Sequence, residues 1–195
     1  MAAGRIFPFG KSTQANDDVE ALTRYIEIRD YLFTVGGSGD VRGWNSRLLG
    51  PKIPDLQVST GADSGQLRAD RYVPVGGNAR IAASVELRLP IPFLGPAWGT
   101  HVFLDGGKVW SVDSHYIGAS DFDQQRFFFA TGFGIDRDTP VGPLRLSLAY
   151  KLNPSQLDVL KPQEFLDALT FGTLDTVHTS WNRRLLLHLA IGSGF

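Results

Sequence analysis

One arginine and two carboxylates carry the residue types from which a specific ion pair can be built. Arg42 stands in Val41-Arg42-Gly43-Trp44, between Gly36-Gly37 and Leu49-Gly50-Pro51-Lys52, inside a long polar, glycine-rich stretch. A guanidinium is charged at any physiological pH, and its planar fork matches a carboxylate. Held in such a stretch, it needs a partner from elsewhere in the chain. Glu86, in Ala83-Ser84-Val85-Glu86-Leu87, and Asp105, in Phe103-Leu104-Asp105-Gly106-Gly107, are the candidates, because strand alternation makes them face the same way as each other.

Other arrangements of reactive residues are weaker. Gly10-Lys11-Ser12-Thr13 resembles the end of a phosphate-binding loop. Gly4, however, lies one position too far upstream for that spacing, and no helical pattern begins at Lys11. His101 and Asp105 share a face but sit four residues apart on a strand, about 13 Å, too far for one metal. His115, His178 and His188 have no partner spacing. Neither a nucleophile elbow nor a carboxylate pair poised for hydrolysis is visible, so no catalytic residue, metal or cofactor is expected.

The elements that must position the three charges are strands. From 79 to 91 the odd positions (Ala79, Ile81, Ala83, Val85, Leu87, Leu89, Ile91) are all apolar, and the even ones are mostly polar. That is the period of a strand with one apolar face. The same alternation runs through 100–110, 126–136, 144–151 and 184–195. Strands are predicted over about 4–11, 79–91, 99–112, 124–138, 143–153 and 182–195. The apolar faces run unbroken for roughly nine to eleven residues, the span of a tilted strand across a bilayer. The connections alternate between short and long, as in transmembrane barrels. Lys108 and Arg137 interrupt the apolar faces near strand ends, where a lipid-facing charge costs only about 0–1 kcal/mol. In the long connection 155–180, Pro162 followed by Glu164 to Leu169 predicts a short helix.

Composition agrees with many strands joined by turns: 22 Gly, 11 Pro, 13 Phe and 4 Trp in 195 residues. The formal net charge of −1 gives no electrostatic reason to expect nucleic acid as a partner. The absence of cysteine excludes disulfides and thiolate metal sites. No run approaches the ~18 apolar residues of a membrane helix, and Arg5 and Pro8 break any signal-peptide core in the first residues.

Five segments in order carry a family resemblance. They are Gly36 to Lys52, Val75-Gly76-Gly77-Asn78, Phe103 to Trp110, Thr139 to Arg145, and the closing Ile191-Gly192-Ser193-Gly194-Phe195. Together they resemble the C-terminal part of the BamA/TamA outer-membrane insertase superfamily, the bacterial surface antigen barrels. The resemblance implies an all-β fold: a partial antiparallel transmembrane β-barrel of about six C-terminal strands, with a long arginine loop folded inward. Residues 1–195 would form the C-terminal portion of an outer-membrane barrel domain, without its periplasmic domains. It implies that Val41, Arg42, Gly43 and Trp44 dock on the inner wall against Glu86 and Asp105, in a lumen wet enough to weaken the contact. Leu187, Leu189, Ile191 and Phe195 would form the assembly signal and the strand at a lateral seam, whose open edge can pair with an incoming strand.

The function so implied is non-enzymatic insertion or translocation of proteins at the bacterial outer membrane. The partners would be the lipid bilayer, unfolded outer-membrane or secreted clients, and the barrel strands and periplasmic domains this chain lacks. The main alternative is a pore of the two-partner-secretion type. An enzyme built on a barrel would need a reactive Ser–His pair near the outer rim, and a plain pore would conduct without needing Arg42. Asp136, where a basic residue is common, and Ser147, at an often acidic position, depart from the pattern, as does Ser193, so lumenal charge pairs do not carry over from relatives.

Overall fold

The alternating runs form strands in the computed structural model, which describes residues 1–7, 29–59, 65–111, 126–174 and 180–192. Among these residues lie β1 (Ala2–Arg5), β2 (Lys52–Val58), β3 (Leu67–Pro74), β4 (Ala79–Pro90), β5 (Trp98–Trp110), β6 (Phe128–Arg137), β7 (Leu144–Lys151) and β8 (Leu185–Ile191). Two short helices, α1 (Gln156–Val159) and α2 (Pro162–Thr170), lie between β7 and β8. Six strands make one sheet in the order β1-β4-β5-β6-β7-β8, every pair antiparallel. The sheet is not closed. Among the described residues β8 pairs only with β7, and β1 only with the first residues of β4.

Three features differ from the sequence expectation. The first strand covers 2–5 rather than 4–11, and residues 8–11 lie outside the described residues. Residues 181–184 form a 3-10 turn instead of opening the last strand. The larger difference is the hairpin β2–β3 within what reads as a polar loop. Its register shifts between Pro54 and Leu56, so one strand face does not keep one polarity and the period-two signal is lost.

The sheet is inside out relative to a water-soluble one. Val85 is 73% exposed and Leu187 61%, whereas Arg42 is 5% exposed and Asp105 0%. In register across the sheet, Leu87, Val102, Phe133, Leu148 and Leu187 form one apolar row on the outer face. Leu89, Thr100, Ile135, Leu146 and Leu189 form the next. So broad an apolar face is unfavourable in water but suits lipid. Lys108 and Arg137 are accommodated at the margins of this band: Lys108 lies 5.1 Å from the Trp110 ring and Arg137 5.0 Å from the Trp98 ring.

Short turns, 91–97 and 138–143, join the strands at one end. Gly142 takes φ +113° in the second, and a Cβ there would meet Gly192 Cα at 2.8 Å, so both turn geometry and close approach require glycine. The other ends of β5, β6, β7 and β8 lie opposite these turns. There the inner face of the sheet is covered by the arginine loop. Val35, Val41, Trp44 and Leu49 of the loop pack with Ala82, Val109, Phe128 and Ala130 of the wall. Trp44 meets Phe128 edge-on at 5.5 Å.

A lid of two helices rests on the hairpin. Pro162 sits in the first turn of α2, where its missing N–H costs nothing, and the Glu164 carboxylate accepts from Lys161 N–H. Leu157, Leu160 and Phe165 pack with Tyr72 of β3, whose hydroxyl donates to Leu160 O at 3.2 Å. Burial, helped by nearby Asp158, pushes the Tyr72 phenol up. Arg183 grips Glu164 from the last turn before β8, and its bonds, with that from Lys161, hold the Glu164 carboxyl down to about 2. Because this value lies below the ordinary 4.5, the pair's contribution is complete above about pH 4.5 and lost as pH falls toward 2. Both side chains are more than a third exposed, so solvent screening leaves it worth a few tenths of a kcal/mol. Amide protection in α2, corrected for intrinsic exchange rates, is expected to fall slightly between pH 5 and 2.5, and Glu164→Gln to remove that dependence.

Candidate functional site: the docked arginine loop

The loop closes on itself before it docks. Val35 and Leu49 bridge through Leu49 N–H to Val35 O at 2.9 Å, and Asp40 accepts from Gly36 N–H at 3.3 Å. Gly36 has φ +118°, and a Cβ there would lie 2.7 Å from Asn45 O, so this crossing point requires glycine. The result is a compact loop with Val41 and Trp44 facing the wall, 0% and 2% exposed.

Arg42 uses four of its five side-chain N–H groups on strands β4 and β5. Nε donates to Asp105 Oδ2 at 2.7 Å, and Nη2 to Asp105 Oδ1 at 2.9 Å, a bidentate pair. Nη1 donates to Glu86 Oε2 at 2.6 Å, and Nη2 also reaches Ser84 Oγ at 3.1 Å. The backbone N–H of Arg42 adds a further bond to Asp105 Oδ2 at 2.9 Å. Beneath the guanidinium, 3.5 Å from Cζ, lies the Phe103 ring. Arg88 donates to the other Glu86 oxygen at 2.5 Å, so two arginines and two carboxylates balance in one cluster. The pair is drier than expected of a lumen: side-chain exposures are 6% for Arg42, 0% for Asp105 and 13% for Glu86. The loop itself excludes the water.

The structure thus brings Val41, Arg42, Gly43, Trp44, Glu86 and Asp105 into one site. Leu187, Leu189 and Ile191 are not part of it; they lie on the outer face, 60–63% exposed. Phe195 lies outside the described residues. Sequence reasoning missed Ser84 and Phe103, although each stands two residues before a predicted carboxylate and so shares its face. It also missed His188, whose Nε2 accepts from Gly43 N–H at 2.9 Å.

A Ser–His–Asp connectivity appears where none was foreseen. His101 Nδ1 is 2.9 Å from Asp136 Oδ2, and Nε2 is 2.9 Å from Ser147 Oγ. Its three members come from adjacent strands, which is why spacing along the chain did not reveal it. His101 is 1% exposed and Ser147 4%, leaving no room for a scissile bond beside the hydroxyl. Arg145 Nε approaches the other Asp136 oxygen at 3.6 Å, so the three residues form a hydrogen-bonded line across three strands with an arginine at its acidic end.

Glycines in β6 make room for the cluster. A Cβ on Gly132 would lie 2.5 Å from Phe103 Cζ and 2.2 Å from Leu148 O. Gly132→Ala is expected to push the Phe103 ring out from under Arg42 and to cost about 1–3 kcal/mol. The check is the temperature at which the folded, fast-migrating form is lost on electrophoresis.

The Omp85 superfamily domain matches residues 27–163. The chain belongs to the Omp85 superfamily. It is also similar to the outer membrane protein assembly factor BamA of Neisseria meningitidis serogroup B, with 27% identity over 159 residues. That match covers 71% of this chain and 18% of the relative, so the chain spans less than a fifth of the relative's length. The Omp85 assignment places the sheet in the bacterial outer membrane, in a family of outer-membrane protein assembly and insertion factors. The charged cluster then faces the barrel interior, and the apolar rows of β4 to β8 face lipid.

Proposed function

We propose that residues 1–195 form the C-terminal portion of an outer-membrane barrel that inserts or translocates other proteins without chemical catalysis. The observation that carries this reading is the arginine loop. A loop bound by five hydrogen bonds to two neighbouring strands holds the interior wall rigid while β8 keeps one edge unpaired among the described residues. In lipid an unpaired edge has no water to satisfy it, so an incoming strand of an unfolded client gains backbone hydrogen bonds there. Arg42 holds the loop, Glu86 and Asp105 receive it, and β8 with its Leu187, Leu189 and Ile191 face forms one side of the seam. The open edges of the sheet call for further strands to complete the barrel, and periplasmic domains would deliver the client.

The test is reconstitution of the protein from its native outer membrane into liposomes, followed by addition of a urea-unfolded barrel client. Faster conversion of the client to a protease-resistant, heat-modifiable form than in empty liposomes supports the reading. Passage of a soluble exoprotein into the vesicle with no client inserted would instead assign a two-partner-secretion transporter. The apparent size of the protein in the outer-membrane fraction, probed with an antibody to residues 155–174, tells whether the strands act within a longer chain.

A further inference from the structure

His188 occupies the one described inward position of β8 flanked by two strongly lipid-exposed leucines, Leu187 and Leu189. Its Nε2 accepts the Gly43 N–H at 2.9 Å, while the preceding N–H, that of Arg42, goes to Asp105 on β5. Two consecutive peptide groups of the loop thus tie together strands that are not neighbours: β5 and β8 are separated by β6 and β7. Gly43 cannot easily turn elsewhere. It is buried at φ +100°, and a Cβ on it would meet Ala130 Cβ at 2.9 Å, so its backbone lies hard against β6.

We propose that His188 is a positioning residue that tethers the arginine loop to β8, and that the tether exists only while its imidazole is neutral. A nitrogen that accepts from an N–H carries a lone pair, so the ring proton resides on Nδ1. Protonation of Nε2 sets two N–H groups against each other, leaves the Gly43 N–H unpaired inside the barrel, and frees β8 from the loop. The charged groups facing the ring are Arg42 on the loop, Asp105 on β5 and Lys151 on β7. Ser147, opposite in register on β7, is engaged with His101. The consequence for function rests on the reading above that β8 forms one side of the seam: acidification would loosen the seam strand without disturbing the Arg42 cluster.

The experiment is amide hydrogen exchange of Leu185–Ile191 in the full chain, folded in phosphatidylethanolamine–phosphatidylglycerol vesicles and corrected for intrinsic rates. It compares about pH 7.5 with about pH 5, either side of the ordinary imidazole pKa of about 6.5. Protection of β8 is expected to fall on the order of tenfold in the wild type, the effect of one lost buried hydrogen bond. His188→Gln, which keeps an acceptor that does not titrate, should flatten the profile, and His188→Leu should show low protection at both values. A glutamine variant that follows the wild-type profile, or a leucine variant as protected as the wild type, overturns the proposal. If either variant fails to fold, the 15N shifts of His188 in the wild type decide: an unprotonated Nε2 at pH 7.5 supports the tether and an Nε2–H tautomer overturns it. Client insertion measured in the same vesicles separates the two readings. Insertion without pH-dependent protection removes the tether alone, and pH-dependent protection without insertion removes the assembly function alone.

Discussion

Arg42→Ala is expected to destabilise the folded barrel sheet by about 3–5 kcal/mol, the cost of breaking a buried ion pair from one side. The loss is that large because the partners stay behind. Asp105, fully buried, would keep only the bonds from Ser84 Oγ at 2.6 Å and from the residue-42 backbone N–H at 2.9 Å, and no cation of its own, while Glu86 would keep Arg88. The Phe103 ring would lose the guanidinium above it. Arg42→Lys should recover only part of the difference, because an ammonium cannot span both Asp105 oxygens and Glu86 at once. The measurement is the loss of heat-modifiable migration with temperature, together with single-channel conductance. Migration and currents unchanged by Arg42→Ala would sink this account of the loop.

The second large effect is expected at the lid. Lys52, the first residue of the hairpin, pairs with Asp158 of α1 at 3% and 0% side-chain exposure, and also donates to Leu48 O at 2.8 Å. Asp158 does double duty, since its other oxygen accepts from Ser155 N–H at 2.8 Å and caps the helix. Asp158→Ala should therefore cost about 3–5 kcal/mol through the stranded lysine. It should also expose β2, β3 and α1 to rapid exchange together. The double variant Lys52→Met, Asp158→Leu removes both charges and is expected to regain much of the loss, because well-packed apolar groups replace a buried pair at little cost. Exchange in the hairpin unchanged by Asp158→Ala would show that the lid does not hold the loop.

The six sheet strands were legible because a lipid-facing surface keeps period two pure: every second residue of β4 or β8 meets either tails or the interior. The receiving carboxylates were legible for the same reason, since Glu86 and Asp105 stand on inward faces that could be traced by counting. What could not be read was anything set by pairing between distant segments. Lys52 and Asp158 meet across 106 positions and Gly43 and His188 across 145, and neither has a local pattern. The hairpin β2–β3 was hidden by its bulge. The Asp136–His101–Ser147 line was hidden because three strands each supply one member. The dryness of the site followed from the loop's own packing, which the residue types around Arg42 do not disclose.

The order of these segments along the chain has a consequence for how the structure assembles. The two carboxylates that receive Arg42 belong to one hairpin, β4 and β5, closed by the short turn 91–97, and loop closure over so few residues is fast and cheap in entropy. The arginine comes from a segment made earlier, and the lid that packs on the β2–β3 hairpin from one made later. The floor of the site can therefore form first, the loop settle on it second, and the lid close last. A loop that fails to find its floor leaves Lys52 without Asp158 and Gly43 without His188, so a misdocked arginine is propagated upward into an unfinished lid and a loose final strand.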